Sequence, residues 1–530
     1  MNYSKFANVN KLRNMIGIIR TVLPAALLAA ANPVFAATLT VSAYDFKGRL
    51  LDEAALAAFI GRADRKPADP SPADIAAYPI DGMAGFERAK ISSTKKRTTI
   101  KWSARWPAQL SLVWPIAEDG FSNVWIDKDG SGFTGGESIL LNEEIARTQF
   151  RIFKEEWIKR TKDWDPTYKP GAKALKLESR AREMMSAANA LKDEPQRAAA
   201  FDKALAAISS AGQKMLVEHG AQVARSPKLK DSLRFGLTLD DSLGSRIENY
   251  KWVVDSIARS GANWVRLVFP SNPSDFLYTR PRSFTVYDPI IDALKERNIK
   301  IMGTVLDTAQ WPTDLTPDLY VQRTRNLVYH YSGKIRSWEV GSEINGDWLG
   351  GTKTPLGLDK AFKIAVAGAK TVKSVDASLE TVASLYWWDA TAPDERHSLF
   401  GWLRRYAPQG FGADLDVVAL SFQPEDNPVG IAFGGIFEKV HDALPSQQLM
   451  LGSYGFVEKK DLAGYWWLDP NDIDGARKDL LVYYTPASCA GLKSACGGFF
   501  WQTLDQMLPP SRKATDLYYV YRRALDELGR

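Results

Sequence analysis

Cysteine and histidine are scarce in this chain, which has two of the first and four of the second among 530 residues. Segments that we predict to be helical or connecting contain every histidine: His219, His330, His397 and His441. A zinc-dependent hydrolase or a Ser-His nucleophile needs histidine at its site, so this placement disfavours both. Cys489 and Cys496 have no His or further Cys nearby, which argues against a metal site. We expect them to close a small disulfide loop in an oxidising compartment, with two unpaired thiols as the alternative.

Blocks of basic residues are missing after the first 36 residues. The formal net charge is +6, but four of these charges belong to residues 1–36, so the remainder carries only +2. Those four are Lys5, Lys11, Arg13 and Arg20. Nucleic acid is therefore not expected as a partner.

Only one stretch of the sequence is apolar enough to suggest export or a membrane. A basic start runs to Arg20, an apolar run extends from Thr21 to about Ala31, and small residues follow at Ala36 and Ala37. This pattern predicts a secretory signal over residues 1–36 and a periplasmic or extracellular protein. The apolar run is short for a membrane span, and an uncleaved anchor is the alternative.

Between residues 38 and 228, the spacing of apolar residues changes near residue 140. Alternating apolar residues over 38–140 predict a small β-sandwich-like domain. A turn at 127–132 is rich in Asp and Gly and suggests either calcium ligands or an ordinary turn. Over 141–228, apolar residues recur at spacings of three and four, which predicts a helical hairpin that packs against its neighbours.

The region 230–530 alternates short apolar runs with helical segments. We predict eight strands, at 233–239, 264–269, 299–306, 335–341, 381–386, 417–422, 449–454 and 498–503. Apolar strands separated by helices indicate a parallel sheet, and eight such units favour a closed (β/α)8 TIM barrel of the α/β class. An open doubly wound sheet is the alternative, but no Gly-rich dinucleotide loop follows the first strand.

The active site of such a barrel lies at the C-terminal ends of its strands. Carboxylates, amides and several of the 17 tryptophans fall there, whereas no histidine does. Carboxylates for proton transfer beside aromatic faces for sugar rings are what glycoside cleavage requires, and no metal or cofactor is expected. The candidates are Arg266, Asp307, Trp311, Glu343, Asn345, Trp348, Trp388, Gln423, Glu425, Ser453, Trp501 and Asp505.

Three strand motifs carry a resemblance to a known group of enzymes. The fourth-strand run 337–345, SWEVGSEIN, resembles the W-E-x-x-N-E-x-N motif of clan-A glycoside hydrolases. The second-strand run NWVRL and the eighth-strand run GGFFW are similar to theirs. The resemblance covers about residues 233 to 530, and it implies that Glu343 is the general acid/base. It also implies that Arg266 lies near the nucleophile and that Trp501 floors the cleavage subsite.

Three residues depart from the family pattern, and together they affect one chemical task, the attack by the nucleophile. The residue before the acid/base is Ser342 where the family has Asn. The seventh-strand run LGSYGF places Ser453 where the family has its nucleophilic Glu, and Gln423 replaces the supporting Tyr. A serine without an adjacent base cannot replace a carboxylate in the usual two-step reaction.

Three interpretations therefore stay open at the level of sequence. Glu425, Asp426 or Asp505 takes over the missing role in a hydrolase that acts on a poly- or oligosaccharide. Alternatively, the barrel binds carbohydrate without cleaving it, using Trp311, Trp348, Trp388 and Trp501 as platforms. In the third interpretation it is a scaffold in a surface-polysaccharide assembly.

Overall fold

The computed structural model describes residues 37–61, 75–80, 87–94, 97–103, 106–117, 120–229, 231–270, 283–351, 356–388, 392–425, 429–459, 471–487 and 496–530. The predicted leader and Cys489 lie outside these ranges, and the side chain of Cys496 is not described either. The secretory signal and the disulfide therefore remain predictions. Within the described ranges, no helix is both long enough and apolar enough to cross a membrane.

The first seven strands form one continuous sheet. They are β1 (Ala37–Ser42), β2 (Ile75–Pro79), β3 (Glu87–Thr94), β4 (Arg97–Trp102), β5 (Ala108–Ala117), β6 (Gly120–Ile126) and β7 (Ser138–Leu140). Their order across the sheet is β6-β5-β2-β3-β4-β1-β7. The β-rich domain that we predicted is present. Its described strands form one hydrogen-bonded sheet, whereas we expected two sheets facing each other as in a sandwich. Helix α1 (Glu53–Gly61) packs on the sheet through Phe59, whose ring lies 5.1 Å from that of Trp114.

Three helices follow the sheet and connect it to the rest of the chain. They are α2 (Leu141–Ile158), α3 (Ala172–Ala190) and α4 (Glu194–Arg225), with a π-helical turn at Lys159–Asp163 after α2. Asn142 of α2 accepts a hydrogen bond from the backbone N–H of Tyr44 at 3.0 Å and donates to the buried Asp202 carboxyl of α4 at 3.0 Å. This side chain therefore joins the sheet to both long helices.

A buried ion pair lies where the helices meet the barrel. The guanidinium of Arg160 is completely buried, and its Nη2 lies 3.0 Å from Glu156 Oε2. Its Nη1 lies 3.1 Å from His219 Nδ1. Burial, with the Arg160 charge, lowers the pKa of His219 to about 3, so its neutral ring accepts this bond. On the barrel side, Lys159 pairs with Glu438 at 2.8 Å.

The remaining strands close into a barrel. They are β8 (Leu233–Leu239), β9 (Trp264–Val268), β10 (Lys300–Thr304), β11 (Ser337–Gly341), β12 (Glu380–Tyr386), β13 (Val417–Phe422), β14 (Gln448–Tyr454) and β15 (Cys496–Phe500). All neighbours are parallel, and β15 pairs with β8 to complete the ring. The predicted TIM barrel is confirmed, and each predicted strand end falls within three residues of the observed one.

Each barrel strand is followed by an α-helix on the outside. The helices are α5 (Tyr250–Ser260), α6 (Asp288–Glu296), α7 (Pro317–His330), α8 (Leu358–Val375), α9 (Leu399–Tyr406), α10 (Phe433–Ala443), α11 (Ile473–Ala487) and α12 (Asp516–Glu527). Strands covered on both faces are mostly apolar, and β8, β11 and β13 are buried at every position. Polar side chains inside these strands therefore mark positions with a specific task.

Replacing Glu156 with Gln should weaken the joint between the helices and the barrel. The change leaves the buried Arg160 without its counter-charge, so we expect the free energy of unfolding to fall by about 3 kcal/mol. Urea denaturation measures this quantity. The matched control is Glu178→Gln in the surface pair with Arg182, which should cost less than about 0.5 kcal/mol. Equal effects of the two changes would contradict the structural role of the buried pair.

Candidate active site

Glu343 lies at the C-terminal end of β11, and its side chain is partly exposed at the barrel mouth. Its backbone has a φ of +53°, a left-handed conformation that is uncommon for residues other than glycine. Two hydrogen bonds hold it there: its N–H donates to Ser384 Oγ at 2.9 Å, and its carbonyl accepts from Gly346 N at 2.9 Å. Strained residues fixed in this way concentrate at functional sites.

A buried ion pair supports Glu343 from below. Glu339 and Arg266 are both buried, and Arg266 Nη2 lies 2.6 Å from Glu339 Oε2. The hydroxyls of Thr304 and Ser384 donate to the same carboxylate at 2.6 and 3.0 Å. Glu339 is therefore fully engaged inside the barrel and is not available to a substrate.

Arg266 also connects the ion pair to the site. Its Nη2 donates to Ser342 Oγ at 2.9 Å, and its guanidinium lies 4.6 Å from the centre of a Trp501 ring. Within the described part of the chain, Arg266 Nη1 has no hydrogen-bond partner. One buried donor of Arg266 is therefore left without a partner among the described residues.

Asp307 is the carboxyl that the structure places beside Glu343. It follows β10, and its Oδ1 accepts a hydrogen bond from Ala309 N at 2.9 Å. The next residue, Thr308, donates through its hydroxyl to the carbonyl of Ser342, the residue before Glu343. The two carboxyls therefore flank a hydrogen bond that joins the β10 and β11 loops.

The environment favours the protonated form of both carboxyls. Burial raises the pKa of Glu343 to about 7, and the nearby Asp307 charge adds to the increase. The Ser421 hydroxyl and Arg266 act in the opposite direction. Burial likewise raises the pKa of Asp307 to about 6, although Arg266 and the Ala309 N–H oppose it. Because the Asp307 charge adds to the raised pKa of Glu343, the ionisation of one carboxyl affects the other.

Hydroxyls line the barrel wall on the other side of Glu343. Ser384 lies on β12, Ser421 on β13 and Ser453 on β14, and Ser421 pairs with Ser453 in the strand register. Ser453 is buried. Among the described residues, the largest carboxylate effects on Glu343 come from Asp307 and Glu339, and neither belongs to this wall.

Glu425 does not take the role of a second catalytic carboxylate. It is buried in an ion pair, with its two oxygens 2.8 and 3.2 Å from Nε and Nη2 of Arg477. Oε2 also accepts from Val457 N at 2.8 Å. The sequence motif did not reveal this, because Arg477 lies 52 residues further along the chain.

Asp505 lies exposed at the rim after β15 and pairs with Arg246 at 3.3 Å. Arg246 also donates to the carbonyls of Leu504 and Leu508, so this pair joins the β8 and β15 loops. Asp426 lies outside the described residues.

The predicted aromatic platforms divide into two groups. Trp311 is buried and donates to the Leu306 carbonyl at 3.3 Å, so it belongs to the core and is not a platform. Trp348 and Trp388 pack 5.5 Å apart, and each contacts the ring of Tyr386. Because Trp388 and Tyr386 are partly exposed, this cluster offers an apolar face to the mouth. Trp501 lies beneath Arg266.

The two predicted amide ligands differ in burial: Asn345 is buried, whereas Gln423 is partly exposed. Asn345 is buried, donates to the carbonyls of Tyr386 and His397, and accepts from Tyr386 N at 2.6 Å. Its amide is therefore used in joining loops, which contradicts the substrate contact that we predicted. Gln423 is partly exposed, and a Cβ on Gly455 would lie 2.1 Å from Oε1 of Gln502 and 3.2 Å from Oε1 of Gln423. Glycine at 455 thus leaves room for both amides, and for that of Gln502 above all.

The Asp-rich turn after β6 is held by the protein itself. Asp127 Oδ1 accepts from Gly130 N at 3.1 Å and from the Thr148 hydroxyl at 3.3 Å. Its Oδ2 forms an ion pair with Arg151. These partners account for the carboxylate without calcium.

Sequence reasoning missed the hydroxyls that organise the site. Thr304 and Ser384 donate to the Glu339 carboxylate, Thr308 donates to the carbonyl of Ser342, and Ser421 lies near Glu343. The available signal was a small polar residue inside an otherwise apolar strand, as at Ser384 and Ser421.

Comparison with solved structures finds similar folds at low identity. A GH10 endoxylanase retrieved from a sugarcane soil metagenome is 15% identical, with a TM-score of 0.40 over 56% of this chain and 98% of that one. A family 1 β-glucosidase from Thermotoga maritima is 12% identical, with a TM-score of 0.38 over 54% and 87% of the two chains. Its complex with glucoimidazole gives 13% and 0.40 over 57% and 99%. No family model and no curated protein matches the chain.

Replacing Asp307 with Asn should lower the pKa of Glu343 from about 7 toward the usual 4.5, because a nearby negative charge is removed. The measurement is a pH titration of ¹³C-labelled Glu carboxyls by NMR, with the Glu343 signal identified by its loss in Glu343→Gln. Asp505→Asn is the control, and it should leave this titration nearly unchanged. An unaltered Glu343 titration in Asp307→Asn would show that the two carboxyls are not coupled.

Replacing Glu425 with Gln should reduce stability without altering the acid. The buried Arg477 loses its counter-charge, so the free energy of unfolding should fall by about 3 kcal/mol. The Glu343 titration should stay in place. Urea denaturation and the same NMR titration test the two halves of this prediction, with Glu178→Gln as the surface control. A shifted Glu343 titration with unchanged stability would restore Glu425 to the site.

Proposed function

We propose that the barrel mouth cleaves glycosidic bonds, with Glu343 donating a proton to the leaving oxygen. The observation that carries this proposal is a carboxyl with a pKa of about 7, on a strained residue, at the catalytic end of a TIM barrel. A general acid works best when its pKa lies near the working pH. The resemblance of the fourth-strand motif to clan-A glycoside hydrolases supports the same role.

The substrate in this proposal is a poly- or oligosaccharide. The Trp348, Tyr386 and Trp388 cluster supplies apolar faces against which sugar rings pack, and Gln423 and Arg266 supply donors for hydroxyls. The leader predicted over residues 1–36 would place this activity in the periplasm or outside the cell.

Carbohydrate binding without turnover is the second candidate function, and specific observations favour it. In the resemblance to clan-A glycoside hydrolases, Ser453 aligns with the expected nucleophile, and Glu425 is paired with Arg477. The described parts of β13 and β14 therefore offer no free carboxylate for covalent attack. In this case the aromatic cluster and the amides would hold a glycan that the protein does not hydrolyse.

Replacing Glu343 with Gln should lower turnover roughly a hundredfold or more and leave glycan binding in place. Turnover of the unaltered protein should fall as the pH rises through about 7, because the acid then loses its proton. Reducing ends released from a polysaccharide panel measure turnover, and affinity electrophoresis measures binding. Glu178→Gln, on the remote helix α3, is the control. Binding without release of reducing ends by the unaltered protein would establish the second candidate instead.

A further inference from the structure

The wall formed by β12 to β14 is where a nucleophile would be expected in this site. In a retaining reaction the second carboxylate attacks the sugar from the face opposite the acid, at about 5–5.5 Å from it. The wall that would supply it carries hydroxyls at Ser384, Ser421 and Ser453. In the part of the chain described, no hydrogen bond joins the Ser453 hydroxyl to a base that could activate it.

The second free carboxyl of the site is on the same side as the acid. Asp307 and Glu343 sit on the loops of neighbouring strands, and the Thr308–Ser342 hydrogen bond fixes those loops to each other. Gly350 N also donates to the Thr308 carbonyl at 2.9 Å, so the arrangement is braced from both sides. Carboxyls on the loops of neighbouring strands lie on one side of the mouth, and attack from the face opposite the acid requires a group on the other side. The pair can instead protonate a leaving group and bind a second group of the same sugar.

A sugar can bring its own nucleophile. An acetamido group at C2 carries a carbonyl oxygen that reaches C1 of the same ring, and substrate-assisted glycosidases use it in place of an enzyme carboxylate. Its N–H needs a carboxylate as a hydrogen-bond acceptor while positive charge develops on the group. Asp307 offers one, since only its Oδ1 has a hydrogen-bond donor among the described residues.

We propose that Asp307 and Glu343 act as a pair on a 2-acetamido sugar whose own acetamido oxygen is the nucleophile. This inference rests on the proposed hydrolase function. In the first step Glu343 gives its proton to the glycosidic oxygen, the C1–O bond breaks, and the acetamido oxygen bonds to C1. Asp307 accepts the hydrogen bond of the N–H in the resulting ring. In the second step Glu343 takes a proton from water, the water oxygen bonds to C1, and the acetamido oxygen is released.

The charge of the mouth favours a neutral acetamido sugar over an acidic one. Carboxyls outnumber guanidinium groups there, so the carboxylate of a uronic acid would be repelled. The groups are Asp240, Asp241, Asp307, Glu343 and Asp505 against Arg246 and Arg266. Arg266 is already neutralised by Glu339, so its open Nη1 suits a neutral hydroxyl or carbonyl.

The decisive experiment compares one glycan with and without its acetyl groups. The probes are the β-1,4-linked tetramers of 2-acetamido-2-deoxyglucose and 2-acetamido-2-deoxygalactose, and their fully N-deacetylated forms. We expect the protein to cleave an acetylated tetramer at least about a hundredfold faster than its deacetylated counterpart. Replacing N-acetyl with N-trifluoroacetyl should slow cleavage about tenfold or more, because it weakens the attacking oxygen. Equal cleavage of acetylated and deacetylated forms would overturn the proposal.

Binding gives a second test that does not depend on turnover. The thiazoline derived from 2-acetamido-2-deoxyglucose mimics the cyclic intermediate, so calorimetry should detect its binding to the unaltered protein. Asp307→Asn should weaken this binding at least about tenfold, whereas Glu178→Gln should not. Absence of thiazoline binding, together with Glu343-dependent cleavage of a glycan that has no acetamido group, would refute this inference and leave the hydrolase proposal standing. If no glycan of either kind is cleaved, the hydrolase proposal fails as well.

Discussion

The ion pair between Arg266 and Glu339 is the interaction on which the candidate site depends. It lies inside the barrel, where removing either partner would leave a charge without compensation in an apolar surrounding. Thr304 and Ser384 complete the hydrogen bonds of the carboxylate, so four neighbouring strands, β9 to β12, converge on one group. Ser384 then accepts the N–H of Glu343. The position of Glu343 is thus determined by a network that lies beneath it, inside the barrel.

The same network divides the mouth into two chemically different halves. The carboxyls of Asp307 and Glu343, whose pKa values burial raises, follow β10 and β11, whereas small hydroxyls lie on β12 to β14. A hydroxyl wall gives space and hydrogen bonding but no negative charge. The distribution of charge around the acid is therefore strongly one-sided, and it restricts the reactions that the site can perform.

Much of the fold was predictable, because buried parallel strands are continuous apolar runs and the helices between them have their own periodicity. The N-terminal domain was predictable in its strands but not in their layering, since the same alternation fits a single sheet covered by helices. Glu343 followed from its motif. The roles of Glu425 and Asp307 did not, because they depend on Arg477 and on the Thr308–Ser342 contact, which only the folded chain brings together. Trp311 and Asn345 were predicted to face the mouth because they follow strand ends, but both are buried. Position after a strand does not determine whether a side chain turns toward the mouth or into the core.

The left-handed backbone of Glu343 has a consequence for the stability of the turn that carries it. Glycine would adopt a φ of +53° without the steric cost that a side chain adds there, and asparagine would adopt it more readily than glutamate. The residue that stabilises this turn best is therefore not the one that carries an acid. Replacing Glu343 with glycine would therefore relieve the backbone but remove the carboxyl, so the stability of this turn and its acidity are opposed.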